Sequence, residues 1–175
     1  DEQEQTVEEA HYLAGKLDGR YFQKFPDGRE LVAEYKNNFK NGSYVSYFAP
    51  NEQGQKIKAL EAVCENDKFE GTVREYQANG RLLAETMFSE GKKEGLAKIY
   101  DAEGRLTVSI PFAQDLREGI QVQYFPSGAV FRETPFAADK KEGMEKTYHE
   151  NGILAGVCEY RSDLLEGWSR NWNTK

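Results

Sequence analysis

Apolar and polar residues alternate along most of the chain. In "LTVSIPF", residues 106–112, Leu106, Val108, Ile110 and Phe112 fall on one side and Thr107, Ser109 and Pro111 on the other. A period of two predicts a half-buried β-strand, because successive side chains of a strand point to opposite faces. The preceding "GLAKIY", 95–100, has the same character, so the two runs read as strands joined by a tight turn. The pattern then recurs. "KFEGTVREYQANGRL" from 68, "KKEGLAKIYDAEGRL" from 92, "LREGIQVQYFPSGAV" from 116 and "KKEGMEKTYHENGIL" from 140 are near-copies, and the chain closes on "LLEGWSRNWNTK".

Glycine fixes the period. Gly71, Gly95, Gly119, Gly143 and Gly167 stand 24 residues apart, and Gly80, Gly104, Gly128 and Gly152 keep the same interval. A fixed period in this range marks a repeat protein. Repeats start near 19, 42, 71, 95, 119 and 143, with "PNEQGQ", 50–55, as an insertion. A half-hairpin at 6–12 precedes them and a terminal half-repeat at 167–175 follows. The predicted fold is all-β: an elongated single-layer antiparallel meander of about six 24-residue hairpins, treated as a single repeat domain over 1–175.

Turn chemistry sets the expected register. A two-residue type I′ turn suits Asn79-Gly80 and Asp27-Gly28 but not Glu103 or Ser127, whereas a three-residue loop fits all of them. Such a loop places Pro26 and Pro126 at the first turn position and a left-handed Gly at the last. Tyr100 then opposes Leu106 and Leu96 opposes Ile110, gathering Leu96, Tyr100, Leu106, Val108, Ile110 and Phe112 on one face. Two aromatic columns follow. One is Tyr12, Tyr35, Phe88, Phe112, Phe136 and Tyr160, with Cys64 in the gap; the other is Tyr47, Tyr76, Tyr100, Tyr124, Tyr148 and Trp172, with Lys24 in the gap. Both are expected to form the core. Arg74, Lys98, Arg132, Lys146 and Arg170 are expected among them, and the connections holding Leu116 or Leu164 and Leu165 are expected to cover the aromatic face.

The spacing Tyr-x-x-x-Gly in "YQANG", "YDAEG", "YFPSG" and "YHENG", followed by an apolar strand and "KKEG" or "LREG", resembles the variant MORN repeat of bacterial proteins. The resemblance covers roughly 12–172. It implies hairpins set side by side in one antiparallel meander, and an antitoxin-like role, since bacterial members are often described so. The chain lacks the fuller Tyr-Gly-Trp pattern of the classical eukaryotic repeats, which puts their lipid role in doubt here. A leucine-rich repeat of similar period would show one strand per repeat and a recurrent Asn.

Charge narrows the partners. The net charge of −7 opposes nucleic acid and anionic lipid by long-range repulsion. No apolar run approaches the roughly 18 residues of a membrane helix. The chain begins at Asp1 rather than Met, which favours a processed, exported or envelope product over a cytoplasmic one. Cys64 and Cys158 lie about eight strand spacings apart, roughly 38 Å, while a disulfide needs Cα atoms within about 7 Å; they are expected as buried free thiols. His11 and His149 have no Cys or carboxylate partner at metal-ligand spacing, so neither a metal nor a cofactor is expected. Glu70, Glu94, Glu118, Glu142 and Glu166 form a column read as turn residues bonding their own loops, with an acidic ladder for a basic partner as the alternative.

What remains is surface. A layer of hairpins reaches ~60 Å and offers equivalent positions every ~10 Å. The expected function is a non-enzymatic protein-interaction module, antitoxin or immunity-like, with Tyr76, Lys98, Tyr100, Tyr124, Lys146 and Tyr148 as partner-binding candidates, because desolvated aromatic and basic residues supply much of interface energy. The alternative is an envelope or secreted structural protein that self-associates end to end. Catalysis ranks third.

Overall fold

A computed structural model describes residues 7–173. The start of the expected half-hairpin at 6 and residues 174–175 of the terminal half-repeat lie outside them. The chain is all-β and divides into two compact units, residues 1–91 and 92–175. The first contains β1 (Glu8–Leu13), β2 (Lys16–Lys24), β3 (Glu30–Lys36), β4 (Phe39–Tyr47), β5 (Lys58–Glu65), β6 (Lys68–Tyr76) and β7 (Leu82–Ser89). The second contains β8 (Lys92–Tyr100), β9 (Leu106–Ala113), β10 (Leu116–Arg117), β11 (Gly119–Tyr124), β12 (Val130–Ala137), β13 (Lys140–Lys141), β14 (Gly143–Tyr148), β15 (Leu154–Arg161) and β16 (Leu164–Asn171). Within each unit the strands pair antiparallel in chain order, with β10 paired to β9 and β13 to β12. This is a hairpin meander.

The loop inside each repeat is the three-residue one. Gly104 N–H donates to Asp101 O at 3.0 Å, Asp101 N–H donates to Arg105 O at 3.0 Å, and Gly104 has φ +86°. Asp101 Oδ1 tightens the loop by accepting from Glu103 and Arg105 N–H. Pro26 sits at the first turn position of the equivalent loop, where Gly28 N–H reaches Phe25 O.

Tyr100 opposes Leu106, but the next pair is Ile99 with Val108. A β-bulge therefore leaves Thr107 as an extra residue and changes the parity of the strand beyond it. Leu96 consequently opposes Pro111, not Ile110, and Phe112 shares its face with Ala97 rather than with Tyr100. The same slip recurs at Tyr76, Tyr124 and Tyr148. The two aromatic columns thus occupy opposite faces, and Arg132 leaves the lysine face because it opposes Gln123.

The buried apolar residues, Ala33, Ala62, Cys64, Val73, Ala97 and Phe136, lie on the phenylalanine face. Phe112 opposes Gly95, Phe136 opposes Gly119 and Tyr160 opposes Gly143, so each ring lies across a bare backbone position. Cations cover the rings: Lys93 over Phe112 at 5.0 Å, Arg117 over Phe136 at 3.9 Å and Lys141 over Tyr160 at 4.4 Å. Leu116, Leu164 and Leu165 are exposed and do not cover this face.

The glycines that start the repeats are bulge residues, not turn makers. Cys158 opposes Ser169 while Tyr160 opposes Leu165, so Glu166–Gly167–Trp168 span the register of Glu159 alone. Repeats are joined instead by two-residue turns with both φ angles positive, as at Gln114-Asp115 (50°, 72°) and Ala138-Asp139 (46°, 71°), the type I′ signature. The bulge swings each Glu toward the next of these turns. Glu94 Oε2 accepts from Gln114 N–H at 2.9 Å, Glu118 from Ala138 at 2.8 Å and Glu142 from Ser162 at 2.8 Å. Glu94, Glu118 and Glu142 therefore bond the neighbouring repeat's turn, not their own loop, whereas Glu166 pairs with Arg161 Nε at 3.1 Å. Asp115, Asp139 and Asp163 complete the brace: each donates its N–H to a backbone carbonyl of the preceding repeat and accepts the N–H of that same residue, Lys93, Arg117 or Lys141.

Candidate functional site

The bulge leaves the tyrosine face with three rows in the second unit. Along the middle, Lys98, Ser109, Val122, Glu133, Lys146, Val157 and Arg170 oppose one another strand by strand. Beside them runs the tyrosine row, where Tyr100 opposes Leu106, Tyr124 opposes Val130 and Tyr148 opposes Leu154. Lys98, Tyr100, Tyr124, Lys146 and Tyr148 thus share one face of one unit. Tyr76 holds the equivalent position in the first unit, with Glu61, Arg74 and Glu85 beside it.

The rings are half-buried and anchored. Tyr148 Oη donates to Glu133 Oε2 at 2.7 Å, Tyr76 Oη donates to Glu61 Oε2 at 3.2 Å, and Tyr124 Oη lies 3.3 Å from Ser109 Oγ. Burial first, then the adjacent glutamate, raises the phenol pKa of Tyr148 and Tyr76. These tyrosines stay protonated donors. Lys58 lies 2.6 Å from Glu61 and holds that carboxyl below its usual range. Glu133 keeps its charge while it accepts from Tyr148, but Lys98, Lys146 and Arg170 outnumber it and the last two are exposed, so the middle row is net positive on an acidic protein.

The third row was not singled out from the sequence. Leu96 opposes Pro111, Ile120 opposes Pro135 and Met144 opposes Glu159; Trp168 stands in the same position of the next repeat. Leu96 is 39% exposed, Ile120 55%, Met144 44% and Trp168 71%. Exposed apolar side chains repeated on one face mark interaction sites; on the strands between them stand Pro111 and Pro135, and Glu159 separates Met144 from Trp168. Its signal was available as the residue after each bulge glycine, 24 apart, but its exposure depended on the bulge.

Other candidates are dispersed. His11 Nδ1 bonds Asp18 O and His149 Nε2 lies 3.1 Å from Trp172 O. Cys64 is buried and Cys158 half-buried, both free, and burial raises the Cys64 thiol pKa. Among the described residues no group of three or more His, Cys, Asp or Glu is placed to hold a metal ion.

Fold and surface together define a tandem β-hairpin protein with a mixed apolar, tyrosine and basic face. Residues 141–162 match the MORN repeat variant family, which supports reading the chain as a MORN-repeat protein. Repeats of this kind generally serve as protein- or membrane-interaction modules, compatible with a non-enzymatic binding role. No curated protein matches the chain.

Proposed function

We propose that the chain is a non-enzymatic protein-interaction module, of the antitoxin or immunity kind, whose partner docks across the tyrosine face of residues 92–173. The observation that carries this reading is the exposed stripe of Leu96, Ile120, Met144 and Trp168 beside Lys98, Lys146 and Arg170. A partner with apolar side chains flanked by carboxylates complements it: apolar contact supplies affinity, and the basic band sets orientation and association rate.

The test begins with affinity capture and continues with calorimetry on the purified partner. Met144→Glu and Lys146→Glu are expected to weaken binding at least about tenfold, the scale of an interface anchor, without lowering the melting temperature. Tyr124→Phe serves as a control that keeps the ring. Unchanged affinity in both charge variants would overturn the assignment of this face. Concentration-dependent self-assembly with no partner recovered would replace the reading by a structural one.

A further inference from the structure

On the phenylalanine face of the second unit, one group of residues departs from the repeat. Gln121, Gln123, Arg132 and Thr134 stand where the repeat before carries Ala97, Ile99, Val108 and Ile110. The next repeat continues the departure with Glu145, Thr147, Gly156 and Cys158. These positions are neighbours across the strands: Gln123 opposes Arg132, Arg132 opposes Thr147, Thr147 opposes Gly156, and Thr134 opposes Gln121. Polar side chains on the face that elsewhere forms the core require a reason beyond packing.

Most of the group is internally paired. Glu145, 8% exposed, accepts from Thr134 Oγ1 at 2.9 Å and from Lys141 Nζ at 2.8 Å, so its charge and that of Lys141 cancel. The Thr147 hydroxyl is turned toward Gly156 O at 3.5 Å. Arg132 is different. Its guanidinium stands 5.0 Å from the Phe131 ring, and its Nε is the one buried side-chain nitrogen or oxygen without a hydrogen-bond partner among the described residues. A buried guanidinium N–H with no acceptor is costly, and native structures rarely retain one unless a ligand or water completes it.

We propose that Arg132, with Gln123 beside it, is a binding site for a carboxylate group. The charge count selects that ligand. Once Lys141 is balanced by Glu145, Arg132 leaves one positive charge, which a monovalent carboxylate neutralises, whereas a phosphate dianion would leave excess negative charge next to Glu145. The planar guanidinium edge also matches the two oxygens of a carboxylate, and the Gln123 amide, directly opposite, supplies a further donor. This site lies on the face opposite the proposed docking stripe and is independent of it.

The test uses the full chain labelled with ¹⁵N, following arginine Nε–H signals, with Arg132 assigned by its loss in Arg132→Met. Sodium acetate replaces sodium chloride at constant ionic strength near pH 7, followed by sodium phosphate and by an end-blocked glutamate peptide. The Arg132 signal should shift saturably with acetate, the other arginines should not saturate, and Gln123→Met should raise the half-saturating concentration several-fold. A response to the peptide at lower concentration than to acetate assigns the natural carboxylate to a polypeptide, and the reverse to a small acid. Arg132→Met should melt no lower than the parent chain in chloride. A linear Arg132 shift like that of the other arginines, a saturable response to phosphate alone, or a melting temperature several degrees lower in Arg132→Met would each overturn the site, leaving a water-satisfied or structural arginine.

Discussion

Glu145 shows how one buried carboxylate links packing to pH. Burial raises its pKa, but the hydrogen bonds from Lys141 and Thr134 outweigh burial and hold it below the ordinary 4.5. Asp139 is likewise held below 3.8, first by the side chain and backbone N–H of Arg117. A folded-state pKa below the unfolded one adds stability that is present above the unfolded pKa and is lost as pH falls through the folded pKa. The melting temperature should therefore drop on acidification below about pH 4.5, and Glu145→Gln should flatten that drop. An equally steep acid loss in the variant would remove Glu145 as a contributor. Gly104 makes a second residue-scale case. Its φ of +86° lies where a β-branched residue is strained, and nothing within 4 Å would meet an added Cβ, so backbone conformation alone decides. Gly104→Val should cost on the order of 1–2 kcal/mol and Gly104→Asn clearly less, as read by urea unfolding.

Within each hairpin, the bulges govern the structure. They reverse the facing of one aromatic column, free the residue after each bulge glycine for the opposite surface, and direct Glu94, Glu118 and Glu142 at the next turn. Because Glu118 accepts the Ala138 N–H, Glu118→Ala should accelerate hydrogen exchange at that amide, whereas Glu118→Gln, which keeps an acceptor oxygen, should change it much less. Equal exchange in the two variants would show that the type I′ turn holds without the carboxylate. The sequence displayed this device only in part. The Glu column was visible, yet its partner lies 20 residues away in the next repeat, and strand alternation contains no term for such a contact. Asp115, Asp139 and Asp163 recur at 24 as well, a column whose meaning is clear only once the turns are known to be type I′.

At the scale of the whole molecule, stability rests on neighbours. Among the described residues no large side chain is fully buried, so no single site holds a unit together as a globular core would. Phe136, 6% exposed and covered by Arg117, comes nearest to that role in the second unit. Phe136→Ala should cost about 3–5 kcal/mol, and the loss of hydrogen-exchange protection should be greatest in β11–β14 and weaker toward β8 and β16, because repeats couple mainly to adjacent repeats. Uniform loss across the second unit would mean that it unfolds as one cooperative body. A cost below about 1 kcal/mol, the ordinary scale of surface substitutions, would mean that the ring contributes only as exposed surface.

The sequence by itself determined the period, the all-β class, the hairpin as the building block and the three-residue loop, because each depends on local facts: alternation of two, glycine at a left-handed position, proline at the first turn position. It also put Lys98, Tyr100, Tyr124, Lys146 and Tyr148 on one face, because they lie on regular strand segments with fixed parity. Only the tertiary structure decided which residues join them there. One unpaired residue such as Thr107 inverts everything beyond it, sending Phe112 and Arg132 to the far side and opposing Leu96 to Pro111. A bulge arises from how two strands settle against each other, a property of the pair that neither strand carries in its own alternation.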